Sequence, residues 1–487
     1  MDAIAFLDAT ELARKIRDRE ISSRKLLDHY VDRITRLNES INAVVTLDIE
    51  GARRRADQAD TELAAGRVRG PLHGLPITVK DTLETQGIRT TAGFPPLAEH
   101  VPAHDAVVVE RAVAAGAIVF GKSNNPMLAS DYQSYNAIFG LTRNPWDPER
   151  TPGGSSGGSA AALAAGFTAF EIGSDIAGSI RVPAHWCGVY GHRPTHGLIP
   201  GRGHIPGPPG AQAEVDLAVM GPMARSARDL ALLLGAMAGP ARDAAVAWKL
   251  EMPAPRARKL QDYRVGVWMD EADFPIDTTV RTPLLDALGK LRAAGARIDF
   301  DARPKLRMAE VVDIYLRLLW PIMTSGYPEE TFSELAQLAS TLPENAGHHL
   351  AYLARYGTAR YRDWLRANEV RAQMRNVAAE FFASYDVLLM PVNQLPAIVH
   401  DHSEPQVART IEIDGRTHQY FDLLSWIALA TALNLPATSM PVGRTTDGLP
   451  VGMQIVGPHL EDFTAIDFAM RAEEVLGGFV PPPAFSG

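Results

Sequence analysis

The sequence predicts an α/β protein, and two observations carry that prediction. Short apolar runs bounded by Gly and Pro, as in buried strands, occur near both ends of the chain, and segments with helical spacing of Leu and Ala alternate with them. Recurrent helix-then-strand order is the mark of layered α/β architecture. The bulk numbers agree: 487 residues, 46% hydrophobic and 22% charged, are ordinary globular composition with material for a large core.

In chain order, Asp8 to Leu37 reads as two helical segments, because Leu12, Ile16, Leu26, Leu27, Tyr30, Ile34 and Leu37 recur at near-helical spacing. GLPITVKDT, from Gly74 to Thr82, reads as a strand, and Asp105 to Gly116 as a helix leading into the strand AIVFGK. Thr151 to Val182, TPGGSSGGSAAALAAGFTAFEIGSDIAGSIRV, holds two Gly/Ser clusters separated by an apolar run. A Pro/Gly-rich loop, GLIPGRGHIPGPPG, precedes a helix from Ser226 to Ala238. The softest boundary follows, where GPARDAAVAWKLEMPAPRARKLQDY mixes proline, charge and weak periodicity. YRVGVWM, a helix near Leu284 to Ala294 and ARIDF read as a β-α-β unit. DVLLMPV, PATSMPV and GLPVGMQIVG are further strands, and Glu461 to Leu476 is a closing helix. With strands at both ends and helices between, residues 1–487 are expected to form one α/β domain.

Several classes of function are disfavoured. The net charge is -9 and Lys and Arg are not clustered, so no nucleic-acid partner is expected. The N-terminus lacks a basic region followed by an apolar one, and no apolar run approaches the roughly 20 residues that span a bilayer, so neither a secretory signal nor a membrane partner is expected. The single cysteine, Cys187, excludes an intrachain disulfide framework and fits a reducing, cytoplasmic setting. His185, His192, His196, His204, His348-His349 and His400-Asp401-His402 lack metal-ligand spacing, so they read as structural or loop residues; no metal and no cofactor are expected.

The serine motifs need sorting. Gly154 to Gly158 formally matches G-x-S-x-G, but the residues before it, TRNPWDPERTP, are too rich in proline and charge for the strand that motif requires. Ser22-Ser23-Arg24-Lys25 fits S-x-x-K on a solvated helix face, with no Lys-Thr-Gly later. Cys187, between aromatics in HWCGVYG, reads as a small buried hydrophobe. A serine without a histidine needs another base, and lysine serves when burial disfavours its charged form. Lys80, behind the apolar run Leu75 to Val79, is the candidate, although on the local residues alone a surface lysine paired with Asp81 is the stronger reading.

GLPITVKDTLETQGIRTTAG, GKSNNP, TRNPWDPERTPGGSSGGSAAALAAG and GSDIAGSIRVPAHWCGVYGHRPT, in this order, resemble the amidase signature family of serine hydrolases. The likeness is densest at about residues 72–223 and recurs at PATSMPVG and GLPVGMQIVGP. It implies a large central mixed β-sheet covered by helices on both faces, with a more variable substrate-wall region at about 240–430. It further implies a Ser-cisSer-Lys triad, in which Ser179 is the nucleophile, Ser155 relays its proton and Lys80 is the base. Backbone N–H groups of Ile176, Ala177, Gly178 and Ser179 would receive the oxyanion, Asp175 and Arg181 would brace their loop, and Ala129, Ser130 and Tyr132 would line the acyl pocket. Ala177 departs from the family, which commonly has glycine there; its methyl is tolerable at negative φ and would narrow the space beside the oxyanion.

The activity implied is hydrolysis of a carboxamide C–N bond through an acyl-enzyme, with esters or carbamates as side activities. Tyr315, Trp320, Tyr352, Tyr356, Trp364 and Trp426 offer an aromatic wall, which points to an apolar aryl or acyl amide as a small-molecule substrate, with a homodimer compatible. Members of this family also release ammonia from glutamine within tRNA-dependent amidotransferases. Those usually carry an acidic, Met-Gly-Ser-containing stretch where this chain has NNPMLASDYQSYN, so a free-standing hydrolase is the expectation.

Overall fold

The computed structural model describes residues 2–343 and 346–486. Its largest element is an eight-stranded sheet in the order Arg297–Asp299, Arg264–Val267, Val387–Pro391, Pro450–Val456, Ala437–Arg444, Tyr190–Arg193, Val219–Ala224 and Glu171–Asp175. The first three strands are parallel to one another and each later pairing is antiparallel, so the sheet is mixed. Helices cover both faces. On the central strand Pro450–Val456 and just beyond it, a Cβ on Gly452 would meet Cα of His185 at 3.0 Å, whereas one on Gly457 would meet Ala465 at 3.1 Å. These positions differ by an odd number and so point to opposite faces. The helix Arg181–Cys187 therefore lies on one side and Asp462–Leu476 on the other.

Beside this sheet stands a three-stranded one. Its central strand Ile118–Ser123 runs antiparallel to Val44–Leu47 and parallel to Pro76–Lys80, which places Lys80 opposite Ser123. Every residue of Pro76–Lys80 is buried, as suits a strand covered on both faces. The N-terminal helices Ala9–Arg17 and Ser23–Leu37 start at the capping side chains of Asp8 and Ser22. Ser22 of the S-x-x-K match is thus a helix cap.

The apolar run between the two Gly/Ser clusters forms the buried helix Gly157–Ala164 and the strand Glu171–Asp175. That helix is built of small residues because it must come close to its neighbours: a Cβ on Gly158 would lie 2.4 Å from N of Asn124. The helix expected near Leu284 begins earlier, at Thr278, where the Asp277 carboxylate caps it, and it carries Pro283 inside. The helices Met308–Thr324, Glu329–Thr341, His349–Gly357 and Tyr361–Ser384, for which no regular element was expected, fill much of the variable region. Among the described residues, no helix is long and apolar enough to cross a membrane, and no group of three or more His, Cys, Asp or Glu could hold a metal ion.

Candidate active site

Lys80 ends its strand in the interior, fully buried, and its Nζ donates to Ser155 Oγ at 2.6 Å and to Ser174 Oγ at 3.0 Å. Burial pushes the lysine down to about 7, against the opposing pull of the Asp175 carboxylate. Asp81, the alternative surface partner, is itself buried and bonds to Thr91 instead, through its N–H at 3.0 Å and its hydroxyl at 2.5 Å. Lys80 is therefore a desolvated amine whose neutral form is accessible near neutral pH. Ser174 was not anticipated; only its place directly before Asp175 could have marked it.

Ser155 follows a cis Gly154–Ser155 peptide bond. The chain passes close here, since a Cβ on Gly154 would fall 2.2 Å from the carbonyl oxygen of Asp131. Ser156, which the simple elbow motif would select, turns away: its Oγ lies 3.3 Å from the carbonyl of Ser174. Its N–H donates to the carbonyl of Ser179 at 3.1 Å, and this bond brings the second serine beside the first. Among the described residues no hydrogen bond closes between the two hydroxyls of Ser155 and Ser179. Ser179 is 5% exposed, Ser155 1% and Lys80 0%, so accessibility falls along the order Ser179, Ser155, Lys80.

The loop from Asp175 to Arg181 is fixed peptide by peptide. The carbonyl of Asp175 accepts from Arg193 Nη1 at 2.8 Å, that of Ile176 from the Tyr315 hydroxyl at 3.1 Å, and that of Ala177 from the Tyr132 hydroxyl at 2.5 Å. The carbonyl of Gly178 accepts from Val182 N–H at 2.7 Å. On the donor side, the Asp175 carboxylate takes the N–H groups of Gly178, Ile180 and Arg181 at 3.0, 3.1 and 3.4 Å. Three N–H groups in this run, those of Ile176, Ala177 and Ser179, remain without a hydrogen-bond partner among the described residues. Each belongs to a peptide whose carbonyl is already held, so its direction is set in advance, as a preorganised oxyanion site requires. Gly178 leaves the expected donor set because its N–H is committed to Asp175; its own contribution is a φ of +84°, which turns the chain.

Asp175 and Arg181 are both fully buried and form a two-pronged ion pair, with Nε to Oδ2 at 3.0 Å and Nη2 to Oδ1 at 2.9 Å. Arg181 spends its other donors on Gln454 Oε1 at 2.6 Å, Thr431 Oγ1 at 2.7 Å and the Ile427 carbonyl at 3.1 Å. A buried ion pair is tolerable only when its remaining donors and acceptors are satisfied, as here. Burial would raise the Asp175 carboxyl, but Arg181, by charge and hydrogen bond, and then Arg193 hold it well below the usual carboxylate range. Ala177 does not adopt positive φ and is half-buried. Its methyl therefore costs no backbone strain. Ala177→Gly should keep the fold and shift the kcat/KM ratio between bulky and small acyl groups by about threefold or more toward the bulky, on the scale of one methylene in a pocket; an unchanged ratio would remove the methyl from the specificity argument.

The substrate-wall residues divide. Tyr132 is buried and holds the loop, as described. Ala129 sits in the left-handed region at φ +57°, and Ser130 Oγ folds back onto the Met127 carbonyl at 2.8 Å. Tyr315 also touches the loop, and Trp426 immediately precedes Ile427, whose side chain packs on Gly178. Trp320, Tyr352 and Tyr356 join Phe421 and His349 in a ring cluster, whereas Trp364 stacks on the exposed Tyr361. The histidines have local tasks: His185 bonds the Leu395 carbonyl, His192 bonds Thr438 and Asp462, and His196 bonds the Val215 carbonyl. His204 lies within electrostatic reach of Lys80 and is pushed down to about 3, chiefly by burial. Cys187 is buried, and burial pushes its thiol well up, away from nucleophilic thiolate.

A sequence profile described as Amidase matches residues 25–466. The A-type component of glutamyl-tRNA(Gln) amidotransferase from Thermosynechococcus vestitus is 34% identical over 95% of this chain and 97% of its own length. Its counterpart from Geobacillus stearothermophilus is also 34% identical, over 96% of each. Among solved structures, 6-aminohexanoate cyclic dimer hydrolase complexed with substrate superposes with a TM-score of 0.78 at 26% identity, covering 99% of this chain and 100% of that one. The first two relatives correct the expected partners, a small-molecule amide and no nucleic acid: these full-length matches are subunits of enzymes named for a tRNA. The charge argument erred because a net charge of -9 is a sum over one chain, and one component of a complex can serve a nucleic-acid reaction without carrying the phosphate-binding surface itself. With the profile spanning most of its length, the chain belongs to the amidase family, whose enzymes act on carboxamide C–N bonds.

Proposed function

We propose that this chain is the amide-cleaving subunit of a glutamine-dependent amidotransferase, releasing ammonia from glutamine for transfer to an aminoacyl-tRNA on partner subunits. The observation that carries its chemistry is the buried Lys80 amine 2.6 Å from Ser155 Oγ. The full-length likeness to the two amidotransferase components supports the choice of donor.

In this reading Ser179 Oγ attacks the carboxamide carbon while its proton passes to Ser155 and the proton of Ser155 passes to neutral Lys80. A serine hydroxyl both donates and accepts, which a relay demands. The oxyanion forms against the N–H groups of Ile176, Ala177 and Ser179; each such donor is worth about 3 kcal/mol in the transition state. Collapse breaks the C–N bond, and the leaving nitrogen takes the proton back from Lys80 through Ser155, departing as ammonia. Water then repeats the sequence on the Ser179 ester and releases the acid. The Asp175–Arg181 pair holds the loop in register throughout.

A second reading, an apolar aryl or acyl amide as substrate, is favoured by the ring cluster of Trp320, Phe421, Tyr352 and Tyr356 in the variable region. One experiment separates the two. Ammonia release from L-glutamine, and release of the amine or alcohol leaving group from a panel of anilides, acyl amides, esters and carbamates, is measured for the chain alone and after assembly with the other amidotransferase components and glutamyl-tRNA(Gln). Glutamine turnover that rises on assembly supports the proposal; fast anilide turnover by the lone chain, with glutamine untouched in both settings, overturns it.

A further inference from the structure

The segment Asp131 to Ser134 lies between two parts of the molecule that the chain otherwise keeps far apart. On its inner side it meets the catalytic loops. The Tyr132 hydroxyl donates to the Ala177 carbonyl at 2.5 Å, Ser134 Oγ donates to the Gly153 carbonyl at 2.9 Å, and the backbone of Asp131 and Tyr132 fills the space where a Cβ on Gly154 would go. Its outer side meets an arm of the variable region, residues 401–420, through polar groups and an edge-on contact between the Tyr132 and Tyr420 rings. Gln133 and Asp401 exchange two hydrogen bonds, Nε2 to the carbonyl at 2.6 Å and N–H to Oε1 at 2.9 Å.

Asp131 is the centre of that contact. Its carboxylate accepts from Arg409 Nη1 at 2.6 Å, Tyr420 hydroxyl at 2.6 Å and Gln406 Nε2 at 3.1 Å. Asp131 is 6% exposed, Arg409 2% and Tyr420 1%, so the ion pair is shielded from water. Arg409 also donates to Tyr135 Oη at 2.9 Å and to the Ser403 carbonyl at 2.6 Å, which ties the arm to itself and to the segment at once. Just past its end the arm is bonded to the helix His349–Gly357: the N–H of His349 donates to Gln419 Oε1 at 2.8 Å, and its ring Nε2 lies 3.0 Å from Asp422 Oδ1.

We propose that Asp131 is a positioning residue for this reaction, clamping the 401–420 arm onto the segment that holds both the Gly154–Ser155 turn and the Ala177 carbonyl. The Ala177 carbonyl belongs to the peptide that lies between the Ala177 and Ser179 N–H groups, so the arm and its adjoining helix hold the link that joins those two donors without touching the reacting atoms. Such a role enters kcat, because a displacement of about 1 Å at a reacting centre costs on the order of 100-fold in rate. The inference rests on the assignment of Ser155 and Ser179 made above.

The test compares Asp131→Asn, Arg409→Met, their double variant and Tyr420→Phe with the wild type, on whichever amide the full assembly turns over best. Asp131→Asn is expected to lower kcat by about 30-fold with KM within about threefold, and to slow fluorophosphonate labelling of Ser179 in parallel. The double variant should be no slower than the slower single variant. Tyr420→Phe removes the hydroxyl's bond to Asp131 and its longer one from Gln133 at 3.4 Å without stranding a charge, and should lower kcat by about fivefold at unchanged KM, which keeps the test alive if Asp131→Asn does not fold. Unchanged kcat and labelling in the folded variants, or strictly additive losses, would overturn the inference. Loss of activity in Ser179→Ala beside full activity in Asp131→Asn would refute the clamp alone, whereas activity persisting in Ser179→Ala would refute the triad reading on its own.

Discussion

Ser179→Ala is expected to lower kcat by about a million-fold, to the background of the assay, while leaving the melting temperature nearly unchanged. In the proposed mechanism the substitution removes the one atom that forms the covalent bond, so that every other element of the site is left stabilising a reaction that no longer has a nucleophile. The small effect on stability follows from the structure. Ser179 Oγ has no hydrogen-bond partner among the described residues, whereas its carbonyl, which the substitution keeps, holds Ser156 N–H. Ser155→Ala should behave differently, because it removes the nearer of the two acceptors of Lys80 Nζ inside a dry site and so perturbs both turnover and folding. Mass measurement of the acyl adduct decides the matter independently. An adduct on Ser156 or Cys187, or turnover persisting in the alanine variant, would break the assignment.

Several strands were legible because burial on both faces writes itself as short apolar runs, whereas Val44–Leu47, Tyr190–Arg193 and Val219–Ala224 were not expected. PITVK, VLLMP and PVGMQIV each became a buried strand within a residue or two of the expected bounds. The four helices between Met308 and Ser384 were not anticipated: charged residues such as Arg317 and Arg371 interrupt their apolar stripes, the first pairing with Asp313 one turn back and lying over the Tyr356 ring, the second pairing with the remote Asp216. The Lys80–Ser155 pairing was legible only through the ordered motifs, since neither the lysine nor the serine has a local pattern that marks it as buried. What hid most completely was what supports the loop. Tyr315, Arg193 and Gln454 reach residues 175–181 from elements remote in sequence, and nothing about a tyrosine on a helix announces that its hydroxyl will hold one particular carbonyl. Gly178 was misread for a related reason. The resemblance placed its N–H in the oxyanion set with those of its neighbours, but the nearby Asp175 carboxylate claims it, and that geometry depends on the turn rather than on composition.

The second large effect is expected at Lys80. Lys80→Met should lower kcat by about 10⁴-fold, the upper range for loss of a general base, and in the wild type the base should be visible as a pH profile. Only the neutral amine can accept the proton of Ser155. With the lysine pushed down to about 7, its neutral fraction falls tenfold per pH unit below that point and saturates above it. The value of kcat/KM, which reports the free enzyme, should therefore rise with slope one up to about pH 7 and then level off. Two other buried groups titrate nearby: burial pushes Glu171 up to about 7 and Lys122 down to about 8. Neither bonds to a catalytic serine. Glu171 accepts from Thr78 and, at 3.3 Å, from Ser123, while Lys122 donates to the Leu83 carbonyl at 2.5 Å and to Thr85 at 2.8 Å. His204 stays neutral across the whole range and contributes no inflection. Glu171→Gln should consequently keep the inflection in place, because its carboxyl is engaged by Thr78 and Ser123 and stands outside the proposed proton path. An inflection that vanishes in Glu171→Gln would transfer the role of base from Lys80 to the carboxylate, and an inflection that moves only slightly would measure how strongly the two charges feel one another across the buried space between their strands.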